Sequence, residues 1–437
     1  MAITSELPPL PSYTLTIRPP LIWPIPDNIL ILLLPIIAYW TMSMFFHWLD
    51  VNDYFPQYRL HTPAEVLKRN HVTRWEVVRD VIIQQVIQTA FGMAILFFDK
   101  PETSGKDQYD VAVWATRIRM AQHIIPSFTK LLGIDSLALA GKLTAYPMLA
   151  GALSGGSYPS LTQTITSSDG ILSFAPAFAP WEMATAGVIY WYLIPALQFF
   201  YAVFFLDTWQ YFLHRAMHMN KWLYTTFHSR HHRLYVPYAF GALYNHPFEG
   251  FLLDTAGTGL AFITCAMTTR QGMWFFTCST IKTIDDHCGY AFPWDPLQHI
   301  TSNNAAYHDI HHQSWGIKTN FSQPFFTFWD RLLNTRWRGG DVTLKYERSR
   351  LASQKLVEQD NQRTEEPALP NGKPSPEPLD EPNSPNGNAT PVLKEDEDAC
   401  TRNIIQRSVR KTTNSFSPQA DNLKGFSHRL NGSIRQK

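Results

Sequence analysis

The sequence predicts an all-α integral membrane protein. It would be a helical transmembrane bundle with a cytosolic, histidine-rich helical metal site and a disordered C-terminal tail. Three observations lead there: long uncharged apolar runs before residue 207, histidines at helical spacing just beyond them, and a polar, proline-rich stretch after residue 350. Charged residues make up 17% and aromatics 14%, against roughly 25% charged in an ordinary soluble domain. Mean hydropathy is −0.18, but the polar tail dilutes a greasy front. A formal net charge of +1 gives no reason to expect a nucleic-acid partner. Cys265, Cys278, Cys288 and Cys400 form no CxxC and no framework spacing. That fits a reducing compartment or membrane burial better than a disulfide scaffold.

The elements follow in chain order. Residues 1–27 are proline-rich and nearly uncharged, and 29–46 ("ILILLLPIIAYWTMSMFF") carry no charge. At about 1.5 Å per helical residue, such a run nearly spans a hydrocarbon core of about 30 Å. No basic segment precedes it and no small-residue cleavage site follows, so it does not read as a signal peptide. Arg18 is the only upstream basic residue, whereas Arg59, Lys68, Arg69, Arg74 and Arg79 follow. The positive-inside rule puts the 47–80 loop in the cytosol.

A second span is expected over 81–98, where Gln84, Gln85 and Gln88 mark a face turned toward protein. "ATRIRMAQHIIPSFTKLLGI" reads as an interfacial amphipathic helix. The Gly/Ser-rich stretch 151–168 reads as a loop. Residues 184–206 form the strongest later span and run without a break toward His214. Its aromatics Phe199, Phe200, Tyr201, Phe204 and Phe205 either line a lipid slot or simply face lipid. Two shorter apolar runs, 251–267 and 273–284, suit a helical hairpin. Residues 351–397 lack the apolar surface to offset their conformational entropy and read as disordered; a basic stretch follows Cys400. The expected organisation is an N-terminal region 1–183, a catalytic domain 184–338 and a tail 351–437.

Three boxes carry the chemistry: "HRAMH" (His214, His218), "HSRHH" (His228, His231, His232) and "HDIHH" (His308, His311, His312). Residues three and four apart share a helical face. Eight imidazoles at a membrane edge would repel if protonated, and would need eight partners if neutral. A cation resolves both problems, since neutral imidazole binds iron, zinc or copper. A structural zinc takes four ligands, so eight histidines imply two metal ions. His246 in "LYNHPFEG" and His287 in "TIDDHCGY" are candidates to complete the set. An all-histidine site on a membrane protein suits iron poised for oxygen activation, with zinc possible in purified protein. Asp207, Glu249, Asp285, Asp286 and Asp309 are candidate acceptors for imidazole N–H groups.

These boxes resemble those of the fatty acid hydroxylase superfamily, which includes sterol desaturases, sterol methyl oxidases and sphingolipid hydroxylases. The flanking text, "HSRHHRLYVPYAFGALYNHPFEGFLLDT", "STIKTIDDHCGY" and "NNAAYHDIHHQSWGIKTNFSQPFFTFWDRLLNT", is similar to that of the fungal and plant sphinganine C4-hydroxylases. The resemblance implies a multi-pass protein of the endoplasmic reticulum membrane, with the eight box histidines as its catalytic set. It implies two irons, O2 and NAD(P)H-derived electrons delivered by cytochrome b5 and its reductase. The implied reaction converts sphinganine or dihydroceramide into the 4-hydroxylated base or ceramide. Asp285 or Asp286 would be placed to bind the amine. A sterol desaturase or sterol C4-methyl oxidase, or a non-oxygenase membrane metal protein, remain the alternatives.

Overall fold

The computed structural model describes residues 7–97, 101–166 and 172–365. It is helical apart from two small antiparallel ladders, Thr16–Ile17 with Thr103–Ser104 and Thr162–Thr166 with Leu172–Pro176. The chain divides into two compact units, neither of them contiguous in sequence.

The first unit comprises Met1–Ile31, Ala94–Phe204 and Ala261–Phe275. Its helix Asp107–Gln122 packs against Pro180–Val188 around the fully buried Glu182. That carboxylate accepts from Arg119 Nε at 2.6 Å, Gln122 Nε2 at 2.6 Å and the Ala179 backbone N–H at 2.7 Å. A buried charge persists only when so surrounded. Ile124, Phe128, Leu131 and Leu132 stand exposed on the segment expected to lie at an interface. The stretch expected to be a loop over 151–168 departs from that reading. Its β-branched TQTIT run supports a strand paired with Leu172–Pro176, and Ser168 itself lies outside the described residues.

Two helices among the described residues are long and apolar enough to cross a membrane, Asp27–Val51 and Pro180–Met219. The bent pair Asp107–Leu131 and Ser136–Lys142 would make a third if it is one span. The expected second span forms a helix, Arg74–Phe97, but is not one of these. Phe200 is 72% exposed and Tyr201 and Phe204 nearly half, so these three face outward, whereas Phe199 and Phe205 are half-buried and Phe205 stacks on Trp209.

The second unit comprises Leu32–Met93, Phe205–Leu260 and Phe276–Lys437, and it holds all three boxes. Its core joins Tyr39, Phe46, Val77, Val81, Tyr244 and Ile310. Gln84 and Gln85 on Arg74–Phe97 are buried, and Trp40 Nε1 donates to Gln85 Oε1 at 2.9 Å. Gly257 permits a close approach: a Cβ there would meet Trp209 Cδ1 at 2.6 Å. Trp209 Nε1 in turn donates to the Leu252 carbonyl at 2.9 Å, which ties the first-box helix, Ile194–Met219, to the segment after His246.

The tail expected to be disordered from 351 is helical as far as Glu365, within Thr343–Glu365. Val357 buries against Ala64 and Leu67, and this small apolar contact supplies what composition alone did not reveal. Residues 366–437 lie outside the described residues.

Candidate metal centre

Local backbone geometry, not one long helix, sets the histidines. His214 and His218 stand one turn apart on Ile194–Met219. His228 closes a π-helical turn, Tyr224–His228, and His231 and His232 open a 3₁₀ turn. His308, His311 and His312 end the short helix Ala305–His312, whose Asn304 cap accepts from the Tyr307 N–H at 2.9 Å. His287 follows the helix Thr269–Asp286.

The boxes do not each face one site. His214, His218, His228, His232 and His311 bring one ring nitrogen each to within 4.8 Å of all the others. His231, His287, His308 and His312 form a second such group. Sequence neighbours on a helix point about 100° apart. His231 and His232 therefore part company, and so do His311 and His312.

Six of the nine rings have a partner at Nδ1, whereas Nδ1 of His232 and of His308 are buried without one. Nδ1 of His214 donates to Phe321 O at 2.8 Å, that of His311 to Thr319 O at 2.7 Å and that of His312 to Leu234 O at 2.9 Å. His231 uses Tyr244 O at 3.0 Å and His287 uses Thr283 O at 2.8 Å. His228 Nδ1 meets the buried Glu249 carboxylate. A nitrogen facing a carbonyl carries the proton, which leaves Nε2 as a bare lone pair. Nε2 of His214 and of His228 nonetheless lie 3.1 Å apart. His308 Nε2 lies 3.1 Å from those of both His287 and His312. His311 Nε2 is buried without a partner. Burial pushes the imidazoles down, His228 and His287 to about 3 and His231 to about 4, so protonation does not fill the gap. Converging neutral lone pairs in a dry site fit a metal ion in each group, with Glu249 and the carbonyls fixing ring orientation.

Residues 199–335 match the fatty acid hydroxylase family. Over 322 residues the chain is 42% identical to the sphingolipid C4-hydroxylase SUR2 of Saccharomyces cerevisiae, covering 74% of this chain and 75% of that one. It is 38% identical to sphinganine C4-monooxygenase 1 of Arabidopsis thaliana over 309 residues, 71% of this chain and 87% of that one. Methylsterol monooxygenase 1 of Rattus norvegicus is 36% identical, but over 30% of this chain and 43% of its own. This chain belongs to the sphingolipid C4-hydroxylase branch of the fatty acid hydroxylase family. No solved structure matches it.

Not every residue singled out in this family member reaches the centre. His246 lies in neither group. It caps the helix Pro247–Gly250, its Nδ1 accepting from the Phe248 N–H at 3.2 Å, and its ring packs on Phe227. Asp286 is not free to take an amine. Lys282, itself buried, pairs with Asp286, and Asn303 Nδ2 donates to Asp286 at 2.9 Å. Asp285 lies 3.8 Å from the same lysine and accepts from Gln298 Nε2 at 3.2 Å. Asp207 accepts from the Phe325 and Phe326 N–H groups at 3.0 and 2.9 Å, and Asp309 meets His61. Of the five carboxylates considered as imidazole acceptors, Glu249 is the one bonded to a box histidine.

Sequence reasoning passed over Asp330. Fully buried, it accepts from Tyr307 Oη at 2.9 Å and from the Phe321 and Ser322 N–H groups at 3.1 and 2.8 Å. It thereby holds the loop whose Phe321 carbonyl orients His214. No spacing in the sequence links it to a box.

Proposed function

We propose that this chain is an oxygen-dependent hydroxylase of carbon 4 in sphinganine or dihydroceramide, active with two iron ions at the endoplasmic reticulum membrane. Its electrons come from NAD(P)H through cytochrome b5 and its reductase, and the histidine centre faces the cytosol. One observation carries the reading. Two adjoining groups of buried, neutral imidazoles sit in a chain that is about 40% identical, over most of its length, to proteins named for this reaction.

The target is a C–H bond beside an alcohol carbon, too weakly acidic for ordinary acid–base attack. The reaction inserts one oxygen atom of O2 into that bond; the other leaves as water, with two electrons and two protons consumed. Bound iron supplies the oxygen activation. The protein's own residues do the rest. The Nδ1–H bonds to the Phe321, Tyr244, Thr283, Thr319 and Leu234 carbonyls aim the imidazoles. The Glu249 carboxylate raises the basicity of His228 as a ligand. Burial of all nine rings keeps bulk water from competing at the reacting carbon. The limited sterol-oxidase match leaves that alternative without comparable support.

The test is expression in a yeast strain unable to make phytosphingosine, read by mass spectrometry of hydrolysed lipids. Restored phytosphingosine is expected. Unchanged sphinganine with altered sterols would move the chain to the sterol branch.

A further inference from the structure

A cavity borders both histidine groups, touching His228 of the first and His231, His287 and His308 of the second. Besides the histidines its lining includes seven polar side chains, Gln210, Asn245, Glu249, Asp254, Thr283, Asp286 and Gln323, of which Asp286 is already taken by Lys282 and Asn303. A purely hydrocarbon substrate would gain nothing from them, and burying them carries a desolvation penalty unless they find partners.

Gln210, Asn245 and Asp254 share one organisation. Gln210 lies four residues before His214, on the same face of the same helix. Its Nε2 donates to Asp254 Oδ1 at 3.3 Å, while Asn245 Nδ2 donates to Asp254 Oδ2 at 3.3 Å. Both bonds are long, and a carboxyl group has more acceptor positions than these two bonds use, so Asp254 retains capacity toward the cavity. Asp254 belongs to a π-helical turn, Phe251–Ala256, a backbone form often found at functional sites. Glu249 uses one oxygen on His228; its Oε2 is buried with no partner. Two acceptor positions are therefore built beside the metal centre.

The substrate class proposed above carries matching donors, and this inference rests on that reading. In a long-chain base, carbon 4 adjoins the hydroxyl-bearing carbon 3 and lies two bonds from the nitrogen-bearing carbon 2. With bonds of about 1.5 Å, the nitrogen and hydroxyl lie within about 4 Å of the reacting carbon. A carbon 4 held at the metal centre therefore carries its N–H and O–H groups into this same cavity. Buried donors require acceptors.

We propose that Asp254, held by Gln210 and Asn245, is the specificity-determining acceptor for the amino-hydroxyl end of the long-chain substrate. By anchoring that end it fixes which carbon meets the metal centre.

The metal-loaded full chain would be assayed with sphinganine and with its N-acyl form. Asp254→Asn is expected to retain metal content and membrane insertion. KM should rise roughly tenfold to a hundredfold, as for a lost hydrogen bond to a charged group, and some hydroxyl should appear away from carbon 4. A KM effect confined to the free base identifies the ammonium as the donor. Equal effects on both substrates identify the 3-hydroxyl. Unchanged KM and unchanged hydroxyl position, or loss of metal from the variant, would overturn the assignment. Should Asp254→Asn fail to accumulate, Gln210→Met decides, with a severalfold rise in KM expected and no change fatal to the proposal. Absence of any 4-hydroxylated product from the wild-type chain would instead sink the functional reading, leaving Asp254 beside the point.

Discussion

His61 Nε2 lies 2.9 Å from Asp309 Oδ1, across 248 residues of sequence. Its Nδ1 lies 3.0 Å from Glu65 Oε1, so one buried imidazole is clamped between two carboxylates. Tyr346 also donates to Asp309, and Arg69 Nη1 bonds Glu65 at 3.0 Å. Asp309 sits between His308 and His311, so this clamp holds the third box from outside.

The clamp should make stability pH-dependent. Burial disfavours charge on His61, but Asp309 and Glu65 outweigh it and raise the imidazole from 6.5 to about 9. A group raised on folding stabilises fully below its unfolded pKa, and that contribution is lost as pH climbs through the folded one. Glu65 is held down to about 2, so its share persists until strongly acid pH. The solubilised protein should unfold at progressively lower temperature between pH 7 and 10. His61→Asn should remove most of that slope and, by removing the cation held between two buried carboxylates, destabilise by about 3 kcal/mol at pH 7. An identical slope in the variant would refute the clamp.

Glu249→Ala should loosen metal without unfolding the protein. The carboxylate fixes His228 through Nδ1, and loss of such a partner typically weakens metal affinity 10–100-fold. Competition with a chelator of known affinity would measure it. Affinity equal to wild type would count against this orientation.

Histidine substitutions should divide by group rather than by box. His311→Ala removes a residue of the five-membered group and His231→Ala one of the four-membered group. Each should abolish product while the protein stays in the membrane, because the apolar spans are untouched. Elemental analysis should give two metals for wild type and fewer for either variant. His246→Ala should keep both metals and lose about 1 kcal/mol as a helix cap. Loss of metal from that variant would restore His246 to the ligand set.

Truncation should show a sharp boundary. Ending the chain after Glu365 is expected to leave turnover per folded protein intact. Ending it after Val342 removes Thr343–Glu365, and with it the Tyr346 bond to Asp309 and the Val357 contact with Ala64. That protein should lose most activity. Equal activity of the two truncations would show the helix to be dispensable.

Much of this arrangement was legible in advance because ligand chemistry is local in sequence. The spacing of His214 with His218, and of the two HxxHH boxes, names residues that must share a face or a turn. The count of box histidines nominated His246 and His287 alike, and of the two His287 lies in a group. What could not be read was long-range partnership. Asp309 looked like a neighbour of imidazoles from its place in HDIHH, yet it turns to His61. Asp285 and Asp286 looked like a pair awaiting an amine, yet Lys282, one turn earlier, already supplies it. His246 had the right residue type in the right context, but an N-cap position claims its ring. The division of box two between the groups is set on π and 3₁₀ turns, which periodicity at 3.6 residues does not encode, whereas box three divides on an ordinary α-helix.

The crossing of boxes between groups also bears on the order in which such a protein can be made. Box two supplies His228 and His232 to one group and His231 to the other; box three supplies His311 to the first and His308 and His312 to the second. Translation delivers box one first, yet no group is complete until the ribosome has passed residue 312. A nascent chain paused before that point exposes imidazoles to whatever cation it meets first. Faithful loading therefore belongs to the finished, inserted chain, and a lesion that disrupts the whole of either shared box damages two sites rather than one.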